Sequence, residues 1–254
     1  MTLQSLQQKR TIPPPRILIY GPHGIGKTTF GSQAPDPVFI PTEDGLGSIQ
    51  VTSFPVATKY QDVIDAIGVL YTEDHPYKTV VLDSLDWLEA LIWTHSAVTP
   101  KDGGPASIEG HGYGKGYIIA ADRLREVFDG LAALRDTKGM TVILTAHTKV
   151  KRFDDPTCEP YDRYTLKLHE KAAALAAEWV DILGFAAQEM TIRREDVGFG
   201  KKTARGLAIG GHVLHLARTP AYDAKNRYGL PDVLPLEWAA FATALEQANA
   251  PKGE

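Results

Sequence analysis

The sequence predicts an α/β protein: a mostly parallel, twisted sheet with helices on both faces and a β-rich C-terminal extension. Three observations carry this. Ile17–Tyr20, Val38–Ile40, Tyr77–Ser84, Met140–His147 and Val180–Ala187 are short apolar runs that read as buried strands. Between them lie stretches with helical spacing, such as Tyr60–Tyr71 with Val63, Ile64, Ile67 and Leu70. Strands that alternate with helices need crossover connections and therefore pair in parallel. Finally, from Glu189 to Arg218 the pattern changes to an alternation suited to antiparallel strands around Lys201-Lys202.

The remaining elements follow in order. Residues 1–15 are Gln-rich and end in three prolines, which suggests a mobile arm. With no repeat and no linker after it, residues 16–250 are expected to form one domain. Lys27–Ser32 is a short helix stopped by Pro35 and Pro37, and residues 51–57 offer a short extra strand. Leu85–Trp93 and Tyr117–Arg135 read as helices, separated by a Gly-rich loop over 96–116. A polar loop is expected over 148–163, then an Ala-rich helix near 169–179. A loop holding Lys225-Asn-Arg227-Tyr-Gly precedes a C-terminal helix from about Leu236.

Composition narrows the class. With 43% hydrophobic and 23% charged residues, the 254-residue chain resembles an ordinary globular protein. No run is apolar enough to span a bilayer, and Met1–Pro15 is too polar for a signal peptide, so a cytoplasmic location is the expectation. A single cysteine, Cys158, excludes an internal disulfide framework and a cysteine-based zinc cluster. The net charge of −4 argues against a chain coated in nucleic acid but leaves room for local basic loops.

The strand Ile17–Tyr20 runs into Gly21-Pro22-His23-Gly24-Ile25-Gly26-Lys27-Thr28-Thr29, which matches the phosphate-loop pattern G-x-x-x-x-G-K-[ST]. Glycines let successive N–H groups point inward as an anion nest. Lys27 is placed to reach the β- and γ-phosphates, Thr28 to present a hydroxyl to Mg2+, and the helix start to add its positive dipole end. Asp83 closes a hydrophobic strand downstream, where such proteins hold the metal; the alternative is a helix cap for Leu85–Trp93. Glu43, beside Asp44, follows the second strand and could orient an attacking water, or be a solvated turn acid. His147 ends another strand and could contact a phosphate, or be structural.

These segments, in this order, resemble the RecA-like ATPase core over about residues 16–235, and most closely the compact phage-encoded AAA-type ATP-binding proteins that act in single-strand annealing or recombination. The run Ala224-Lys-Asn-Arg-Tyr-Gly229 resembles the Lys-Asn-Arg-Phe-Gly motif of the RadA branch, with Tyr for Phe. The resemblance implies ATP and Mg2+ as ligands, Glu43 as the water-activating glutamate, and His147 in the place of a γ-phosphate-sensing Gln. It also implies that Lys225 and Arg227 reach the nucleotide of the next subunit in a ring or filament.

Two loops carry cations among aromatics, the composition of a sequence-indifferent single-strand binder. One holds Lys101, His111, Tyr113 and Lys115; the other holds Lys149, Lys151, Arg152 and Phe153, with Tyr161, Arg163 and Tyr164 beyond. In position they resemble the two DNA-binding loops of RecA-like proteins, while Asp154, Asp155 and Glu159 dilute the charge. The expected function is an ATPase that assembles on single-stranded DNA and promotes annealing or recombination. The alternatives are a nucleotide-gated loader for another replication protein, with little hydrolysis, and a small-molecule phosphotransferase.

Overall fold

A computed structural model describes residues 12–98, 107–196 and 202–250, without the side chains of 98, 190–196 and 202–209. Six strands are parallel: β1 (Arg16–Gly21), β2 (Pro37–Pro41), β3 (Thr52–Ser53), β4 (Thr79–Asp83), β5 (Thr141–Phe153) and β7 (Ile182–Asp196). They lie in the order β7-β1-β5-β4-β2-β3. The phosphate-loop strand β1 thus sits between β5 and β7, and the strand that ends in Asp83 is β5's other neighbour. Beyond β7 the sheet turns antiparallel through β8 (Lys202–His215) and β10 (Val233–Pro235). The short β9 (Lys225–Asn226) also pairs β7. The α/β architecture with a β-rich C-terminal extension is as the sequence indicates.

Alternation along β1 shows how the two faces are filled. Leu18 and Tyr20 enter one core together with residues of α2 (Tyr60–Thr72), α3 (Leu85–Val98), α4 (Lys115–Lys138) and α5 (Glu170–Trp179). Ile17 and Ile19 enter the other, with Phe30 of α1 (Lys27–Ser32), Leu214 of β8 and Phe241 of α6 (Trp238–Asn249). The four β1 side chains have no solvent exposure, consistent with a strand covered on both sides.

Two expectations change. Of residues 148–163 only 154–160 are a loop. β5 runs on past the sheet edge to Phe153 and pairs antiparallel with β6 (Tyr161–Leu166), forming a two-stranded ribbon. The prolines expected in the mobile arm are bonded to the body: Tyr228 Oη donates to the Pro13 carbonyl, Arg135 Nε to that of Pro14, and the Val142 N–H to that of Pro15. Residues 1–11 of that arm lie outside the described residues, as do Lys101 and Lys201.

At the amino end of the central strands, Asp181 collects cations. Arg16 reaches its carboxylate at 2.9 Å, Arg227 at 3.4 Å and Arg135 at 3.6 Å. Burial alone would raise this carboxyl, but hydrogen bonds from the Arg16 side chain and backbone outweigh that and hold it below its usual range. This cluster ties the start of β1 to the start of β7.

Candidate functional site

The parallel strands β1, β2 and β4 end on one side of the sheet, and β5 passes through the same level. Strand register sets Gly21 beside His147 and Pro41 beside Asp83. The loop after β1 turns through Gly24 at φ +69° and Gly26 at φ +105°, values that a Cβ makes costly. Gly21 is needed for another reason, because a Cβ there would lie 2.4 Å from the Ala186 carbonyl oxygen of β7. Six-residue α1 follows, so an anion would rest mainly on the loop's own N–H groups.

Around this loop lies a cavity of about 300 Å3, lined by His23, Gly24, Gly26, Lys27, Thr28, Thr29, Glu43, Asp83 and His147 among others. The Lys27 ammonium is buried and donates to the Gly21 and Pro22 carbonyls at 3.2 and 2.8 Å. Burial lowers its pKa, with the Asp83, Asp86 and Glu43 charges opposing. Thr28 Oγ1 donates to Asp83 Oδ2 at 2.7 Å, so the two expected metal-side groups are adjacent. Glu43 is close by, its Oε1 accepting from Ser84 Oγ at 2.8 Å. His147 Nδ1 lies 4.0 Å from Glu43, and its ring stacks on His23 with centroids 3.9 Å apart. The neighbouring His147 lowers the His23 pKa, with burial and Lys27 adding to the effect.

A site of this make fits a triphosphate with its magnesium ion. The loop supplies N–H donors and one buried ammonium, while hydroxyl and carboxylate oxygens from Thr28 and Asp83 form a hard-oxygen donor pair suited to Mg2+.

The sequence missed several supports. Thr145 donates to the other Asp83 oxygen and is fully buried. Thr42 Oγ1 bridges Ser84, donating to its carbonyl at 2.7 Å and accepting from its N–H at 2.8 Å. Asp86 of α3 accepts from the backbone N–H of His147 at 3.0 Å and from its ring Nδ1 at 2.9 Å. Burial would raise the Asp86 carboxyl, yet these His147 bonds override it and set the pKa at about 2. One sequence signal was available: Ser84 and Asp86 directly follow the strand-ending acid, on the turn that enters α3.

The other expected residues stand apart from this cavity. Lys225 is fastened within its own chain, its ammonium donating to the carbonyls of Ala177, Glu178 and Val180 at 2.7–2.9 Å. These lie at the C-terminal end of α5, where helix carbonyls lack partners and a cation is favoured. In this chain Lys225, which the resemblance has reach the next subunit's nucleotide, is thus held by its own helix end. Arg227 is half exposed and pairs with Asp181 at 3.4 Å. Lys149, Lys151, Arg152 and Phe153 all belong to the β5–β6 ribbon. Lys149 donates to the Leu168 carbonyl at 2.8 Å, Lys151 pairs with Glu170, and Arg152 lies 3.8 Å from Asp154. Lys115 is exposed at the start of α4, two residues before Tyr117, whose ring stacks on His169 at the ribbon's end. The side chains of Arg193, Arg194 and Lys202 lie outside the described residues.

Loop, metal-side acid and strand order together have the make of a P-loop nucleotide-binding α/β core. A family model described as "AAA domain" matches residues 13–228, most of the chain, and the protein belongs to that family. No curated protein matches. Among solved structures, a RadB recombinase is similar at 16% identity and a TM-score of 0.40, over 68% of this chain and 74% of that one. Among the described residues no helix is long and apolar enough to cross a membrane, and no His/Cys/Asp/Glu cluster of three or more forms a metal site.

Proposed function

We propose that the protein is a Mg2+-dependent ATPase that assembles as a homo-oligomer on single-stranded DNA and promotes strand annealing or homologous recombination. One observation carries the reading: β5 holds His147 at the nucleotide cavity and then continues, without a break, into the basic ribbon. In this reading the loop N–H groups and Lys27 bind the phosphates, and Thr28 with Asp83 holds the magnesium ion. When bound, that ion would neutralise charge on the phosphates. Glu43 orients the attacking water and accepts its proton, with Ser84 fixing the carboxylate. His147 contacts the terminal phosphate. Asp86 accepts its Nδ1–H and leaves Nε2 for the ligand, and donation to a phosphate oxygen then needs the imidazolium, with Nε2 protonated as well. Arg227 remains the candidate for reaching a neighbouring subunit.

The experiment is ATP turnover with and without single-stranded DNA, with particle size recorded in the same samples. The reading expects DNA to raise turnover and to enlarge the particle. Tight ATP binding with turnover indifferent to DNA would sink the recombination role. That result would favour a nucleotide-gated loader for another replication protein, a reading supported by the engagement of Lys225 within its own chain.

A further inference from the structure

The chain builds a second cavity, of about 370 Å3, which the nucleotide site does not use. It lies between the β5–β6 ribbon and α5. Strand alternation sends Lys149, Lys151 and Phe153 to the ribbon's inner face, and register sets Arg163 opposite Lys151. Ala173 and Ala177 form the facing wall on α5. Arg152, on the other side of the ribbon, does not line it.

Three features bear on the occupant. The volume falls near the lower end of pockets that take a small ligand. An apolar wall and an aromatic ring, rimmed by ammonium groups, match the two chemistries of a nucleotide unit: a π-face and a phosphate. The rim carboxylates are already engaged, Glu170 by Lys151 and Asp223 by Arg163 and Arg218, while Lys149 donates to the Leu168 carbonyl and forms no ion pair among the described residues. The third feature is an unmet donor. Arg163 is 3% exposed, and its Nη2 serves Asp223 and the Thr219 carbonyl, but its Nε–H has no hydrogen-bond partner among the described residues. Buried donors are seldom left so, and this one, shielded from solvent as the chain stands, would meet a base carbonyl or ring nitrogen only if the Arg163 side chain turned on binding.

We infer that this cavity receives one nucleobase of the bound single strand, turned out of the strand's own stack, with a flanking phosphate on Lys149. The inference rests on the single-strand reading above. It makes the ribbon a base-capturing grip, two residues along β5 from His147.

The test compares binding of an oligothymidylate with binding of an equally long oligomer carrying a central abasic run. Two variants are measured beside the parent chain: Ala173→Leu, which fills the cavity while keeping a good helix former, and Phe153→Ala, which removes the aromatic wall. Thermal unfolding of each shows that it is folded. The parent should prefer the base-bearing strand by roughly tenfold, the worth of one stacked base. In both variants that preference should fall to about one, with abasic binding and its salt dependence retained. If the parent discriminates and both folded variants discriminate equally, the base lies elsewhere; the cavity inference fails and the single-strand reading stands. A parent that binds both oligomers equally also overturns the inference. A parent that binds neither removes both readings.

Discussion

Asp86 and His147 form a clasp, in which one carboxylate accepts both the backbone N–H and the ring Nδ1–H of the histidine at 3.0 and 2.9 Å. One turn further along α3, Glu89 holds the chain just past the ribbon's returning strand, at the same base, accepting the His169 backbone N–H at 2.9 Å. Both legs of the ribbon are thus held at its base by acids of the helix that directly follows Asp83. The helix leaving the metal-side strand and the proposed DNA grip share these two contacts.

The two acids respond oppositely to pH. The Asp86 pKa of about 2 lies below its unfolded value, because the His147 bonds outweigh the burial that would raise it. Its stabilising contribution is therefore complete above about pH 4 and lost as pH falls toward 2, amounting to about 2 kcal/mol. Asp86→Asn should be less stable than the parent at pH 7 by up to this amount, and the gap should close in acid. Urea unfolding across that range checks it; a gap independent of pH contradicts the assignment.

Burial raises Glu89 to about 7, against hydrogen bonding from the His169 N–H. An acid whose folded pKa is raised favours folding while both states are protonated, and loses that advantage as pH climbs from about 4.5 to 7. Glu89→Gln keeps the acceptor without the charge. It should be more stable than the parent at pH 8, by up to about 3 kcal/mol, and no more stable at pH 4. Equal stability at both pH values would show that the Glu89 carboxylate is better solvated than its 8% exposure implies.

Gly21 abuts β7 so closely that Gly21→Ala should distort the β1–β7 contact. A Cβ would meet the Ala186 oxygen at 2.4 Å and its Cβ at 3.1 Å. Overpacking of this kind costs about 1–3 kcal/mol, readable as a lowered denaturation midpoint. An unchanged midpoint would mean that the two strands part easily.

Asp223 neutralises the buried Arg163 at 2.6 Å and meets the exposed Arg218 at 3.1 Å. Asp223→Ala strands the buried guanidinium and should cost about 3 kcal/mol, the low end for a broken buried pair because Asp223 is half exposed. Arg218→Ala should cost under about 1 kcal/mol. Comparable losses from the two variants would contradict this division.

The nucleotide loop and the central strands were legible because each is local: Gly21–Thr29 is one contiguous motif, and the buried strands are unbroken apolar runs. The ribbon was not. Thr148-Lys-Val-Lys-Arg-Phe153 does alternate, but with cations on both faces and little apolar surface on either, it reads as a loop. Asp86, Thr145 and Thr42 were missed for a different reason. Each acts on a residue roughly 40–60 positions away, and only parallel packing of β2, β4 and β5 brings them together. The hold on Lys225 was hidden too, because a motif cannot reveal that the end of a helix 45 residues earlier takes up its charge.

The central claim is that the loop from Gly21 to Thr29, Asp83 and Glu43 bind one magnesium-bound triphosphate. Titration of ATP with magnesium into the intact chain and into its Lys27→Ala variant tests this most directly. The account predicts saturable binding by the parent, which weakens when magnesium is chelated and is lost in the variant. A parent with no affinity for ATP and magnesium, or a folded Lys27→Ala chain that binds as tightly as the parent, would contradict it.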